Sequence, residues 1–262
     1  MKDKKIAIIG CGNLGLTIAN GLLDDGFFAA DLIATRRNTT SLDSLLNKGT
    51  IVTSNNAEAV KNADVIVLAV KPYNVEPILA EIRNELKSDK HILVCLATGI
   101  TLDELAKWSG SGLPIFRAMP NTAADVNESM TLICDKGATN EQRNAITGLF
   151  DKIGSTLYID ENLMEAATIL GACGIAYVLR FMRAMIQGGI EVGFDAKTAT
   201  SIVSQTMKGA SELIIQNGTH PESEIDKVTT PKGCTITGLN EMEHNGFSSA
   251  LIKGIVTSFD KI

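Results

Sequence analysis

Between Val228 and Phe247 the chain reads Val-Thr-Thr-Pro-Lys-Gly-Cys-Thr-Ile-Thr-Gly-Leu-Asn-Glu-Met-Glu-His-Asn-Gly-Phe. Hydroxyl residues crowd around Pro231 and Gly233, which break any regular element. Beyond Thr235, the residues Leu239, Met242 and Glu243 follow helical spacing. The segment therefore predicts a helix whose N-terminus gathers hydroxyls and backbone N–H groups that have no intrahelical partner. Orphan donors and the helix dipole together attract an anion, and a small carboxylate suits the space. The expected donors are the N–H groups of Gly233, Cys234 and Thr235, with Thr230 assisting.

A second cluster lies near the start. Gly10-Cys11-Gly12-Asn13-Leu14-Gly15 follows the apolar run Lys5–Ile9 and opens a helical pattern from Leu14 to Leu23. Gly10 permits a tight turn, Gly12 lets backbone approach a pyrophosphate, and Gly15 lets helix and strand pack closely. This predicts a dinucleotide site. An NAD enzyme usually carries a carboxylate at the end of the second strand for the ribose hydroxyls. Here that place reads Thr35-Arg36-Arg37-Asn38. Two guanidinium groups suit a 2′-phosphate, so NADPH is expected over NADH, with NADH still usable.

The elements that position these clusters alternate. Strand patterns at 32–35, 51–53, 64–70, 92–96, 115–117, 130–134 and 156–159 are separated by helical ones at 42–48, from 55, 75–86, from 101 and 141–153. Thr101-Leu-Asp-Glu104 has the form of a capping box. The alternation predicts a Rossmann-type doubly wound parallel sheet. Ligands of such sheets bind beyond the strand carboxyl ends. Ala69-Val70-Lys71-Pro72 and Ala97-Thr98-Gly99 should therefore line the cofactor groove, one along the ribose and the other near the nicotinamide. After Asp160 only helical patterns remain, at 163–190, 195–215 and 248–259. The expected organisation is a dinucleotide-binding domain over 1–160 and a helical substrate and dimerisation domain over 161–262. The first of these helices is too apolar to stand half exposed, which predicts a homodimer built around it and leaves higher homo-oligomers open.

Composition excludes other classes. The 262 residues carry 24 basic and 30 acidic side chains, a net charge of −6, and no basic tract that would favour nucleic acid. The apolar stretch 166–179 is interrupted by Arg180 and Arg183, so no membrane partner is expected. Met1-Lys-Asp-Lys-Lys leads directly into a strand pattern, and five scattered cysteines lack any Cys-x-x-Cys. Both predict a cytoplasmic protein without a signal peptide. Three distant histidines offer no metal-ligand spacing.

The Val228–Phe247 segment resembles the Val-(Thr/Ser)-Ser-Pro-Gly-Gly-x-Thr…Leu-Glu-x-x-Gly-Phe signature of pyrroline-5-carboxylate reductases. Arg117-Ala-Met119-Pro-Asn121-Thr122 resembles that family's Arg-x-Met-Pro-Asn-Thr, and Ala172-Cys173-Gly174-Ile175-Ala176-Tyr177 is similar at three of six places to its Gly-Ser-Gly-Pro-Ala-Tyr. With the glycine turn, four motifs run in the family's order along essentially the whole chain. The resemblance implies reduction of a cyclic imino acid to proline with NAD(P)H. It places Asn56 near the adenosine, Met119 and Asn121 where nicotinamide meets substrate, and Glu161 facing the substrate nitrogen. Asn121 would hold the carboxamide or order water. Thr235 would donate to the ring nitrogen. A protonated imine takes up hydride with loss of charge, so orientation is the main requirement. The chain departs from the family at Lys232, where Gly is usual, at Cys234, and at Ala172 to Ile175.

Alternatives stay open at this level. One is a reductase of a related cyclic imine, and another is a non-catalytic NADP-binding sensor on the same fold. A 3-hydroxyacid dehydrogenase, which places a Lys on the first long helix of its second domain, fits poorly, because 163–190 contains no Lys.

Overall fold

The computed structural model describes residues 4–110 and 112–262. They form two compact units, one ending at Cys173 and the other spanning Gly174–Lys261.

The first unit holds eight strands: β1 (Ile6–Ile9), β2 (Leu32–Thr35), β3 (Ile51–Thr53), β4 (Val65–Leu68), β5 (Ile92–Cys95), β6 (Ile115–Met119), β7 (Ser129–Lys136) and β8 (Gly154–Tyr158). They make one sheet in the order β3-β2-β1-β4-β5-β6-β7-β8. Strands β1, β2, β4 and β5 are buried along their whole length. Burial on both faces is why they read as continuous apolar runs rather than alternating ones. Six helices connect them: α1 (Asn13–Asp24), α2 (Asp43–Asn47), α3 (Asn56–Lys61), α4 (Val75–Ile82), α5 (Leu102–Ser109) and α6 (Asn140–Phe150). One core layer packs Ile6, Ile8, Val65, Val67 and Phe116 with residues of α1 and α6. The other packs Ala7, Ile9, Ile66 and Leu68 with residues of α3, α4 and α5.

One pairing departs from the expected parallel sheet: β6 and β7 run antiparallel. The connection from Pro120 to Glu128 is too short to hold a crossover helix, so the chain must turn back. It does so through a tight helical turn, Thr122–Val126, closed by Asn127 at φ 58°. The β7–α6–β8 connection restores parallel pairing. Local signals place several helix starts. Asn55 caps α3 through Glu58 N, and Thr101 with Glu104 forms the predicted capping box of α5.

The helical residues at the end of the first unit are α7 (Met164–Ala167) and a π-helical segment, Thr168–Cys173. The second unit contains α8 (Gly174–Glu191), α9 (Ala196–Asn217), α10 (Pro221–Val228), α11 (Cys234–His244) and α12 (Phe247–Phe259). The π segment interrupts the single helix expected over 163–190, at the place where the chain departs from the family's Gly-Ser-Gly-Pro. Within the second unit α8 packs against α9. Tyr177 on α8 donates to Ser258 Oγ at 2.7 Å, and the Phe181 and Phe247 rings lie 5.6 Å apart. These contacts join α8 to α12. Ala199 and Val203 are the buried hydrophobic residues recorded there, while Leu179, Ile252 and Phe259 are each about half exposed. The helical run Glu161–Glu191 is long enough, with mean hydropathy 1.6 over its most apolar window, to meet the length and composition of a bilayer-crossing helix.

Candidate active site

A cleft of about 960 Å³ opens at the carboxyl ends of β1, β2, β4 and β5, where the strand order reverses. Its floor is the turn from β1 into α1. Gly10 has φ +82°, and a Cβ there would lie 2.1 Å from Val70 Cγ1. A Cβ on Gly15 would come to 3.2 Å from Ile8 Cγ2, so the third glycine sets the helix–strand distance. At Gly12 the nearest atom to such a Cβ is Gly10 O at 3.9 Å. The room above Gly12 is therefore open to a ligand. The first helical bond of α1 is Leu16 N to Gly12 O at 2.8 Å. The N–H groups of Asn13, Leu14 and Gly15 have no intrahelical acceptor, and no acidic residue occupies this first turn. These features fit a pyrophosphate.

Cys11 does not belong to that cradle. Its side chain is fully buried, and its amide donates to Thr35 O at 2.7 Å. Burial pushes its thiol up to about 12, against a smaller opposing effect of Arg36. Both the amide and the side chain of Cys11 face inward.

Arg36, Arg37 and Asn38 line the cleft beyond β2, as do Ala69, Val70, Lys71 and Pro72 beyond β4 and Ala97 and Thr98 beyond β5. Asn56 also lines it. Its Oδ1 accepts from Thr35 Oγ1 at 2.7 Å, and Thr35 Oγ1 accepts from Gly10 N at 3.2 Å. The end of β2 has no carboxylate, as read from the sequence. Glu81 on α4 nevertheless lines the cleft and accepts from Asn56 Nδ2 at 3.3 Å. Sequence reasoning missed Glu81, because nothing local marks a helix carboxylate as facing a neighbouring strand end. Gly15, Gly99, Met119 and Asn121 are not among the lining residues.

Asn121 is buried and engaged within the protein. Its Nδ2 donates to Gly171 O at 3.0 Å, its Oδ1 accepts from Ala123 N at 2.9 Å, and its amide donates to Ser129 Oγ. Its side chain thus forms a strut between the end of β6 and the π segment. Glu161 is likewise committed. One oxygen accepts from Leu102 N at 2.6 Å and from Arg117 Nη1 at 3.2 Å. Arg117 Nη2 donates to Glu165 Oε1 at 2.7 Å. Burial opposes the Arg117 charge, but the hydrogen bonds to Glu165 and Glu161 outweigh it and raise its pKa. Glu161 therefore faces Arg117 and the start of α5.

In the second unit the Thr-rich segment forms a tight turn into α11. Gly233 N donates to Thr230 O at 2.9 Å across Pro231 and Lys232. Lys232 has φ +60°, the left-handed conformation this turn requires at its third position. A Cβ on Gly233 would lie 2.6 Å from Thr230 Oγ1 and 3.0 Å from Thr230 O, so a larger residue there would push the Thr230 hydroxyl aside. Gly233 is the N-cap residue of α11. The Gly233 amide thus closes the turn. The orphan donors of this helix are Cys234, Thr235 and Ile236. The side chains of Thr230 and Thr235 are exposed beside them.

Residues 161–262 match the family described as pyrroline-5-carboxylate reductase dimerisation, and residues 5–98 match NADP oxidoreductase, coenzyme F420-dependent. Pyrroline-5-carboxylate reductase 2 of Dictyostelium discoideum is 40% identical, over 99% of this chain and 92% of that protein. Pyrroline-5-carboxylate reductase 1 of the same organism is also 40% identical over 99% of this chain, but the chain spans only 49% of its length. A crystal structure of Plasmodium falciparum pyrroline carboxylate reductase with NADP bound superposes with a TM-score of 0.89 at 26% identity, covering 100% of this chain and 97% of that one. With the glycine turn, the arginine pair and the turn into α11 all present, the chain belongs to the pyrroline-5-carboxylate reductase family.

Proposed function

We propose that the chain reduces 1-pyrroline-5-carboxylate to proline with NADPH. The observation that carries this reading is the open glycine cradle flanked by Arg36 and Arg37, in a chain 40% identical to a pyrroline-5-carboxylate reductase over nearly the full length of both. NADPH bound in the cleft supplies the hydride. The amides of Asn13, Leu14 and Gly15 hold its pyrophosphate. Arg36 and Arg37 pair with the 2′-phosphate, and the turns at 69–72 and 97–98 flank the ribose and nicotinamide.

The imino acid's carboxylate binds the orphan amides of Cys234, Thr235 and Ile236, and the Thr235 hydroxyl hydrogen-bonds to the ring nitrogen. A protonated imine loses its charge on reduction, so no strong side-chain acid is needed. Holding the ring in place accounts for most of the acceleration, up to roughly 7–11 kcal/mol for well-oriented reactants. Asn121 and Glu161 act as supports for the strand ends around the cleft.

The same reading divides the chain into a dinucleotide-binding part, 1–160, and a substrate and dimerisation part, 161–262. The match of the latter to a dimerisation family supports a homodimer. So do the half-exposed apolar residues of α8, α9 and α12, because an apolar surface of this kind marks an association face. Five free cysteines fit a reducing compartment such as the cytoplasm. The test is NADPH oxidation with the five-membered imine and identification of the product. Tight NADPH binding without turnover of any cyclic imine would leave a sensor instead.

A further inference from the structure

Four residues join α4 to the glycine turn by hydrogen bonds. Glu81 Oε2 accepts from Asn56 Nδ2 at 3.3 Å. Asn56 Oδ1 accepts from Thr35 Oγ1 at 2.7 Å. Thr35 Oγ1 accepts from Gly10 N at 3.2 Å. All four residues belong to the first unit, and Thr35 is buried.

An ionised carboxylate can only accept. Glu81 therefore obliges Asn56 to present its NH₂ toward α4 and its oxygen toward Thr35. The Thr35 hydroxyl has a single hydrogen and must donate it to that oxygen. A lone pair is then left for the Gly10 amide. Reversing the Asn56 amide would set its NH₂ against the Thr35 hydroxyl and turn that hydrogen elsewhere. The carboxylate of one exposed helix residue thus sets the orientation of the Asn56 amide and, through it, where the Thr35 hydroxyl hydrogen points, beside the Gly10 N–H that donates to Thr35 Oγ1. Without it, the Asn56 amide and the Thr35 hydroxyl could each turn either way, and the hydroxyl that holds the Gly10 amide would be less firmly placed.

We propose that Glu81 is a positioning residue for the dinucleotide, acting through Asn56 and Thr35 to hold the glycine turn in its phosphate-binding conformation before cofactor arrives. The role rests on NADPH occupying this cleft. It differs from that of a β2-end carboxylate, which touches ribose directly, because the effect of Glu81 is carried by the chain's own hydrogen bonds.

The test uses the full-length protein and the variants Glu81→Ala, Glu81→Gln and Asn56→Ala. NADPH affinity is read by fluorescence titration, and the Gly10 amide by hydrogen exchange in cofactor-free protein. Glu81→Ala weakens NADPH binding about five-fold, the scale of one lost hydrogen bond, and speeds Gly10 exchange. Turnover at saturating NADPH and the KM for the imine do not change. Glu81→Gln, whose amide can donate as well as accept, no longer fixes the Asn56 orientation and recovers only part of the affinity. Adding Glu81→Ala to Asn56→Ala gives no further loss. Wild-type binding with unchanged affinity and unchanged Gly10 exchange in Glu81→Ala would overturn the relay alone. Fully additive losses in the double variant would overturn it as well. Failure of the wild-type protein to bind NADPH would remove both the relay and the functional reading beneath it.

Discussion

Arg117 Nη1 lies 3.2 Å from Glu161 Oε1, pairing a buried residue of β6 with the chain just before α7. The same oxygen accepts from Leu102 N, the first amide of α5. One carboxylate oxygen thus serves two purposes: it neutralises a buried guanidinium and supplies an anion to a helix N-terminus. Glu165 completes the arrangement on the other side of the guanidinium. Removing Arg117 leaves two carboxylates facing each other without a cation.

Arg117→Met is therefore expected to destabilise the protein by on the order of 2–4 kcal/mol, toward the lower end because both carboxylates keep some contact with solvent. Urea unfolding measures this. A midpoint equal to wild type would show that the pair contributes nothing net.

Lys232 adopts φ +60°, which disfavours a side chain by about 1–2 kcal/mol. Glycine removes that strain but adds freedom to the unfolded chain, about 0.5–1 kcal/mol in the other direction. Lys232→Gly should raise stability by up to about 1.5 kcal/mol on these magnitudes. Lys232→Val should lower it, since a β-branched residue fits the left-handed region poorly. Thermal denaturation of the two variants checks the order, and a Val variant as stable as the Gly variant would contradict it.

Cys234 stands at the first position of α11, preceded by Gly233 at φ −72° and ψ 155°. Proline is favoured at that helix position and tolerates such a predecessor. Cys234→Pro therefore deletes one orphan amide without breaking the helix. The KM for the imino acid should rise about ten-fold, the scale of a hydrogen bond to a charged group, while far-UV dichroism and NADPH binding stay as they are. Thr235→Ala should lower turnover with the same two controls. An unchanged turnover number would remove Thr235 from its role.

Arg36 and Arg37 both line the cleft at the end of β2. Replacing both with Ala should raise the KM for NADPH by about ten-fold or more, as charge-assisted bonds to a phosphate are lost. The KM for NADH should not change. Equal effects on the two cofactors would place the arginines away from the 2′-phosphate.

His91 is buried, and its Nδ1 accepts from Lys87 N at 2.8 Å. Burial and the neighbouring Lys90 hold its pKa below the usual histidine value, against weaker support from Ala63, Asp64 and Val60. The unfolded chain then takes up a proton near pH 6.5 that the folded chain refuses. The His91 contribution to stability is complete above that pH and is lost as pH falls toward the lower, folded value. Urea midpoints at pH 7.5 and 5.5 should show a decline that His91→Gln reduces. An identical pH slope in the variant would exclude His91 as its source.

How much of this was legible beforehand varies from residue to residue. Gly10 and Gly15 could be read, because a turn between an apolar run and a helical pattern has few solutions. Arg36 and Arg37 could be read because a strand end is a place with known company. Thr101 and Glu104 announced a capping box that spans only one turn. Helix α10 was not read, although His220, Pro221, Glu222 and Glu224 carry cap, proline and acidic first-turn signals. Its polar face hid it among loop-like residues.

The sequence by itself determined the strands and most of the helices, the place of the glycine cradle, the absence of a β2-end carboxylate, and the Thr-rich helix start. All of these depend on residues within one or two turns of each other, where periodicity and backbone sterics act directly. Only the tertiary structure decided which polar groups are already taken. Gly233 N is closed onto Thr230, Cys11 N onto Thr35, Asn121 onto Gly171, and Glu161 onto Arg117 and Leu102. It also decided the reversal of β7 and the presence of Glu81 beside Asn56. A buried donor must find an acceptor, but for most of these groups the acceptor lies tens of residues away, and which one it meets follows from how layers pack rather than from any local pattern.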